Sequence, residues 1–214
     1  MNKFLNGPSI NSDPGKFDKI IIFLHGYGAN GNDLISIGSS WQTELPDTMF
    51  ISPNAPFDCT WGSNAYQWFE LSSISPESIG SGLKKAGPFL NEFIDNISKE
   101  TKVPFEKIFF VSFSQGTMMA LYHLCKRNTS CAGIMGYSGL LFCDEDFDFN
   151  KLKKLRLDKS INSTNDFSIT MNHYNDRNIY KLEFKNLVKQ ARLIAVLKHD
   201  KKIIKKSNYV ILHV

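Results

Sequence analysis

The amino-acid sequence predicts an α/β protein with one mostly parallel, doubly wound sheet and helices on both faces. Three observations carry this. Lys19-Ile20-Ile21-Ile22-Phe23-Leu24 and Ile108-Phe109-Phe110-Val111 are short, unbroken apolar runs, the signature of strands covered on both sides. Each run ends in small residues, as a tight turn requires: His25-Gly26-Tyr27-Gly28 and Ser112-Phe113-Ser114-Gln115-Gly116. Segments with apolar residues at helical spacing lie between the strands, giving the alternation that a parallel sheet needs.

Residues 1–17 read as an irregular lead-in to the first long strand. They are polar, carry Pro8, Pro14 and Gly15, and have no apolar core of a signal peptide. After Lys19–Leu24 come Gly26, Gly28 and Gly31, three glycines in six residues. Such a loop takes positive φ or lets its backbone approach something closely. The spacing Gly26-x-Gly28-x-x-Gly31 formally matches a dinucleotide fingerprint. That reading needs a second strand ending in an acidic residue about twenty positions on. The chain instead offers Met49-Phe50-Ile51-Ser52, stopped by Pro53, so no cofactor is expected.

Leu34, Ile35, Ile37 and Trp41 give a weak helical period over residues 33–44. Residues 57–75 form an aromatic-rich loop with Phe57, Trp61, Tyr66, Trp68 and Phe69. It either folds onto the core or walls an apolar site. Residues 82–100 predict an amphipathic helix interrupted early by Pro88, and residues 117–127 predict a second, with Met118, Leu121, Tyr122 and Cys125 on one face. Cys131 to Leu141 predict one further strand opening into a glycine-bounded loop.

The character changes near residue 145. Acidic Asp144–Asp148 is followed by the basic stretch Lys151–Leu157. Phe167–Met171 predicts a strand, and Lys181–Leu197 a helix passing into a strand. The chain stops on the apolar run Tyr209–Val214 without a closing helix. The expected organisation is one domain over 1–214, with 145–214 a divergent or incomplete C-terminal part.

Composition excludes several classes. A length of 214 residues suits one full-sized core. The net charge of +4 comes with no basic stretch interleaved with aromatics ahead of the C-terminus, so nucleic acid is not implied. No apolar run approaches a membrane span. Cys59, Cys125, Cys131 and Cys143 lack C-x-x-C and zinc spacing. They read as free buried thiols in a reducing cytoplasm, and no metal site is expected.

Ser112-x-Ser114-x-Gly116 between a buried strand and a helix is the context of a nucleophile elbow. The turn lifts the Ser114 hydroxyl above the sheet and aims the Gln115 N–H at a developing oxyanion. Ser112 stands where a glycine is usual, and is small enough for the turn.

Four segments in register together resemble the small carboxylesterase and acyl-protein thioesterase (phospholipase/carboxylesterase) family of the α/β-hydrolase fold. They are Leu24–Gly31, Ser52–Pro56 with Trp68-Phe69, Phe113–Leu121, and Gly136–Gly139. The resemblance covers roughly residues 18–142. It implies a serine hydrolase cleaving acyl esters, or thioesters on acylated proteins, through an acyl-enzyme, and it leaves room for a homodimer. By position, Ser114 corresponds to the nucleophile, the N–H groups of Tyr27 and Gln115 to the oxyanion hole, and His25 to a structural residue. Trp68 is the candidate apolar wall of the substrate site. Asp176 is the counterpart of the triad acid, one residue out of register, with Tyr174 where the family has glycine and its proline missing. No Gly-x-Gly-His-like turn follows Leu193–Leu197. His213, 37 positions after Asp176, is preferred over His199, 23 positions after it. The alternative is a hydrolase-fold protein that lost its triad histidine and is catalytically impaired.

Overall fold

The computed structural model describes residues 5–11, 13, 15–73, 75–142, 144, 167–174, 177–184 and 209–213, with the strands beyond residue 144 described as backbone. A five-stranded sheet forms the centre. Its strands are β1 (Ser9–Ile10), β2 (Lys19–Leu24), β3 (Thr48–Ile51), β6 (Ile108–Phe113) and β7 (Gly133–Tyr137), in the order β1-β3-β2-β6-β7. β3, β2, β6 and β7 run parallel, and β1 closes the edge antiparallel to β3.

The unbroken apolar runs place side chains on both faces. Ile20, Ile22, Leu24, Ile108 and Phe110 join the larger core, which α2 (Pro76–Thr101) and α3 (Gln115–Leu124) cover. Ile21, Phe23, Phe50 and Val111 point the other way, onto Leu34, Ile35, Ile37 and Trp41 of α1 (Gly31–Trp41). The period-two alternation of one strand therefore feeds two cores, which is the doubly wound arrangement expected. α1 begins at a capping box. The Asn30 side chain accepts from the backbone of the first turn, and Asp33 accepts from the Asn30 N–H at 2.8 Å.

α2 starts six residues earlier than its apolar period suggests. Ser75 caps it, accepting from the Ser78 N–H at 3.2 Å, and Pro76 occupies the first turn, where it costs no hydrogen bond. Pro88 lies inside the helix without ending it. One turn before it, the Leu83 carbonyl accepts the Nε2–H of His123 from α3 at 2.8 Å. Gly87 makes room for that ring, since a Cβ there would lie 2.1 Å from His123 Cε1. A neighbouring helix thus anchors α2 just ahead of the proline.

The expected single strand over Cys131–Leu141 is two. Ser138 at φ +52° breaks it into β7 and β8 (Gly139–Phe142), and β8 belongs to a second sheet, β8-β11-β10-β9. In that sheet β9 (Phe167–Tyr174) and β10 (Arg177–Phe184) pair antiparallel, and β11 (Tyr209–His213) pairs parallel with β10 and antiparallel with β8. The helix expected to begin at Lys181 is corrected, because residues 181–184 complete β10. Leu193–Leu197 lies outside the described residues. The aromatic loop carries a short hairpin, β4 (Phe57–Asp58) with β5 (Tyr66–Gln67).

Candidate active site

The register Leu24↔Ser112 brings the ends of β2 and β6 side by side. Their two turns therefore leave the sheet together. Ser114 holds φ +50°, ψ −114° and heads α3. A non-glycine residue there costs about 1–3 kcal/mol, and such strain survives only where neighbours over-determine it. Here they do. The Ser114 N–H donates to the Tyr137 carbonyl at 2.8 Å, and the Thr117 hydroxyl donates to the same oxygen at 3.0 Å. At Gly116 a Cβ would lie 2.2 Å from the Leu24 carbonyl oxygen, so this glycine is required by close backbone approach. Ser112, in place of the usual glycine, is buried and donates to the Met135 carbonyl at 3.3 Å.

The glycine loop after β2 passes directly over this turn. A Cβ on Gly26 would stand 3.2 Å from Ser114 Cβ. The loop therefore places the Tyr27 backbone beside the N-terminus of α3, where unsatisfied N–H groups and the helix dipole favour negative charge. The structure brings Ser114, Tyr27 and Gln115 together at this end of the sheet.

Three buried side chains hold these turns. His25 donates from Nδ1 to the Gly26 carbonyl at 2.7 Å and accepts the Ala55 N–H at Nε2 at 2.9 Å. That pair of bonds defines a neutral tautomer, and burial pushes its pKa below the ordinary imidazole value. With both nitrogens engaged, His25 is structural. Trp68 was expected to wall the substrate site. It is instead wholly enclosed, with its indole N–H donated to the His25 carbonyl at 3.0 Å. It sits behind the site and presents no surface to a ligand. Gln115 is also fully buried. Its Oε1 accepts the Trp68 N–H at 2.8 Å and its Nε2 donates to the Phe69 carbonyl at 2.7 Å.

The aromatic surface beside the site belongs to other residues. Trp61 is 75% exposed and Phe113 is 49% exposed. Trp61 meets Tyr27 edge-on at 4.9 Å and lies over Gly28, which is at φ +74° and where a Cβ would come within 2.8 Å of the indole. The Tyr27 hydroxyl is held above its usual pKa range by a hydrogen bond to Cys59. Trp61 and Phe113 were readable as aromatic or apolar residues; which aromatics stay outside depends on the hairpin fold of residues 57–67.

Of the candidate triad partners, His213 lies on β11 in the second sheet. Leu212 pairs with Gly139, the last pair of this ladder, and His213 follows it at the end of β11. Gly139 itself is close to the elbow, its notional Cβ 3.1 Å from the Ser114 carbonyl oxygen. Asp176 and His199 lie outside the described residues. Tyr174 and Arg177, on either side of positions 175–176, pair with each other at the start of β10, whereas Glu183, six residues beyond Arg177, pairs with His213. At about 3.3 Å per residue, those two ends of β10 are roughly 20 Å apart. His123, the other histidine with a described side chain, is committed to Leu83 and buried. Cys59, Cys125 and Cys131 are buried and form no disulfide among the described residues, and Cys143 lies outside them. Among the described residues no cluster of histidine, cysteine and carboxylates could hold a metal, and no helix is long and apolar enough to cross a membrane.

A strained serine heading a helix, at the carboxyl end of a central parallel strand and under a glycine loop, defines an α/β-hydrolase fold. The chain belongs to the phospholipase/carboxylesterase family, whose profile matches residues 5–211. It is similar to acyl-protein thioesterase 1 of Neurospora crassa, with 30% identity over 149 residues, 61% of each chain. Acyl-protein thioesterase 1 of Schizosaccharomyces pombe is 32% identical over 127 residues, 56% of this chain and 55% of that protein. The chain thus spans less than two thirds of the length of these curated relatives. Among solved structures, the crystal structure of esterase PE8 superposes with a TM-score of 0.61 at 35% identity, over 64% of this chain and 65% of that one.

Proposed function

We propose that this chain is a serine esterase or thioesterase acting in the cytoplasm on small acyl esters or acylated proteins. The observation that carries the reading is the conformation of Ser114, held at positive φ between β6 and α3 directly under the Tyr27 loop. Ser114 Oγ attacks the acyl carbonyl while a histidine takes its proton. The oxyanion is met by the Tyr27 and Gln115 N–H groups. The alcohol or thiol leaves with the proton, and water then releases the acid by the same route. His213 is the base in this reading and Asp176 its orienting partner. The support for His213 is its place one residue past the Leu212–Gly139 pair, Gly139 being close to Ser114. The acyl chain lies along Trp61 and Phe113, an assignment supported by their exposure beside the nucleophile.

A second reading is a hydrolase-fold protein without turnover. One observation favours it: the β10 register separates His213, opposite Glu183, from the Tyr174–Arg177 pair at the other end of that strand.

Incubation with a fluorophosphonate probe and with p-nitrophenyl acetate, beside Ser114→Ala, tests the first reading. Labelling and hydrolysis that vanish in the variant support it. Neither signal in the unaltered protein leaves the second reading standing.

A further inference from the structure

We infer that the side chain of Gln115, acting through Trp68, is a positioning element that ties the head of α3 to the Tyr27 loop. The catalytic meaning of this tie rests on the esterase reading; the tie itself does not. Gln115 sits immediately after Ser114, yet its side chain points away from solvent and is fully buried. A buried amide can make several hydrogen bonds, and each one left unmade costs about 1–3 kcal/mol. Gln115 uses both ends on one segment, accepting from Trp68 N–H and donating to the Phe69 carbonyl, 47 and 46 residues away. That two-point grip fixes the orientation of Trp68, whose indole N–H then reaches the His25 carbonyl at 3.0 Å. His25 in turn bonds the Gly26 carbonyl and the Ala55 N–H.

The hydrogen bonds thus run in one connected path from Gln115 to Gly26, the residue before Tyr27. The path lies under the surface, where water competes little and each bond carries more weight than at an exposed site. Its two ends are the segments that carry the candidate oxyanion donors. One residue, Gln115, would therefore supply a donor with its backbone and set the opposite donor with its side chain. Oxyanion stabilisation depends on donors fixed before the charge develops. A displacement of about 1 Å at such a site is enough to cost about 100-fold in rate.

The test uses Gln115→Met, which keeps length and bulk but neither grips nor donates, and Trp68→Phe, which removes the indole N–H together with part of the ring's buried bulk. Ser98→Ala serves as a control for general destabilisation; its hydroxyl donates to the Val103 carbonyl at 2.7 Å at the far end of α2. Amide hydrogen exchange of the segment 24–30, thermal melting, and kcat and KM on p-nitrophenyl acetate are measured for each. Both clamp variants are expected to speed exchange in 24–30 by tenfold or more, while Ser98→Ala leaves that segment unchanged at matched stability. Gln115→Met is expected to lower kcat by about 10–100-fold with KM nearly constant. Unchanged exchange in 24–30 in both clamp variants overturns the inference, as does an increase spread evenly over the whole chain. If Gln115→Met fails to fold, Trp68→Phe decides alone. If the unaltered protein shows no Ser114-dependent hydrolysis, the esterase reading fails, and the exchange measurement still decides whether the tie exists.

Discussion

The elbow and the sheet that carries His213 are held by different means. Around Ser114, positions are set by bonds that cross between distant loops. Tyr137 accepts from Ser114 and Thr117, Gln115 grips Trp68 and Phe69, and Trp68 grips His25. In the β8-β11-β10-β9 sheet, position is set by strand register. Cross-bracing fixes a residue in three dimensions and fails one contact at a time. Register fixes a whole strand at once, and a slip of one residue turns every side chain to the other face. A catalytic pair spanning both regions is therefore only as well placed as the ladder between Gly139 and Leu212.

The sharpest way to break this comparison is to remove His213. His213→Ala should lower kcat/KM for p-nitrophenyl acetate by roughly 1,000-fold or more, approaching Ser114→Ala and leaving only catalysis from the oxyanion donors. Parallel loss of fluorophosphonate labelling would place the base on β11. Retained activity would mean that β11 does not deliver the base, and that the histidine must be sought at His199 or His173.

Gly116→Ala probes the cross-braced side. The added Cβ meets a backbone oxygen, Leu24 O, which has no flexible end to move aside. The expected loss of unfolding free energy is about 3 kcal/mol or more, at the upper end for overpacking. Denaturant melts of the two proteins give this number directly. A neutral effect would show that β2 and the head of α3 can separate, against the rigid seat argued for Ser114.

These two regions also differ in how far they were legible. The strand runs Lys19–Leu24 and Ile108–Val111, the glycine loop and the turn at Ser114 could all be read from residue types, because each is specified locally by a hydrophobic period or a steric need for a small residue. Trp68 misled for a physical reason. An aromatic residue in a loop next to a site reads as a wall, and only tertiary hydrogen bonding to Gln115 and His25 shows that it faces inward. Ser138 could not be read as a strand break, since its positive φ is imposed by the change of sheet between β7 and β8. His213 is hardest, because its place on β11 is one of long-range register, which leaves no local trace.

A smaller effect comes from the two groups behind the elbow that titrate. Burial lowers His123 to a pKa of about 4. The unfolded chain therefore takes up this proton first as pH falls below the ordinary value near 6.5. Stability from this group is full above about 6.5, falls from there to about 4, and then levels, a total on the order of 3 kcal/mol. Asp144 adds a second, more acidic window. Burial pushes its carboxyl up, but the Tyr122 hydroxyl at 2.5 Å and the Lys126 ammonium at 3.0 Å outweigh this and hold it below the usual range. Its contribution persists above the unfolded carboxylate pKa and is lost as pH drops through the lower folded value. Denaturant midpoints from pH 7 to 3 should decline in two stages, and His123→Gln should shrink the first to the share that the buried His25 contributes. A single decline confined below pH 4 would contradict the buried neutral imidazole.

The smallest expected effect concerns Trp61, which lies outside the cross-bracing altogether. Being mostly exposed, it should cost little to remove, within about 0.5 kcal/mol of stability. Its edge-on contact with Tyr27 and its place over Gly28 nevertheless set it beside the candidate oxyanion loop. An acyl chain lying along the indole would gain roughly 0.8 kcal/mol for each methylene it buries there, about a fourfold factor in kcat/KM. In Trp61→Ala the preference for p-nitrophenyl butyrate over acetate should shrink by about that factor per methylene lost to contact, while acetate hydrolysis stays near its original rate. Phe113→Ala should shrink it by a comparable amount if the chain runs between the two rings. If Trp61→Ala instead slows acetate and butyrate equally, the indole acts by bracing the Tyr27 loop and not by touching the acyl chain. Trp61 would then join Gln115 and Trp68 as part of the scaffold around Ser114.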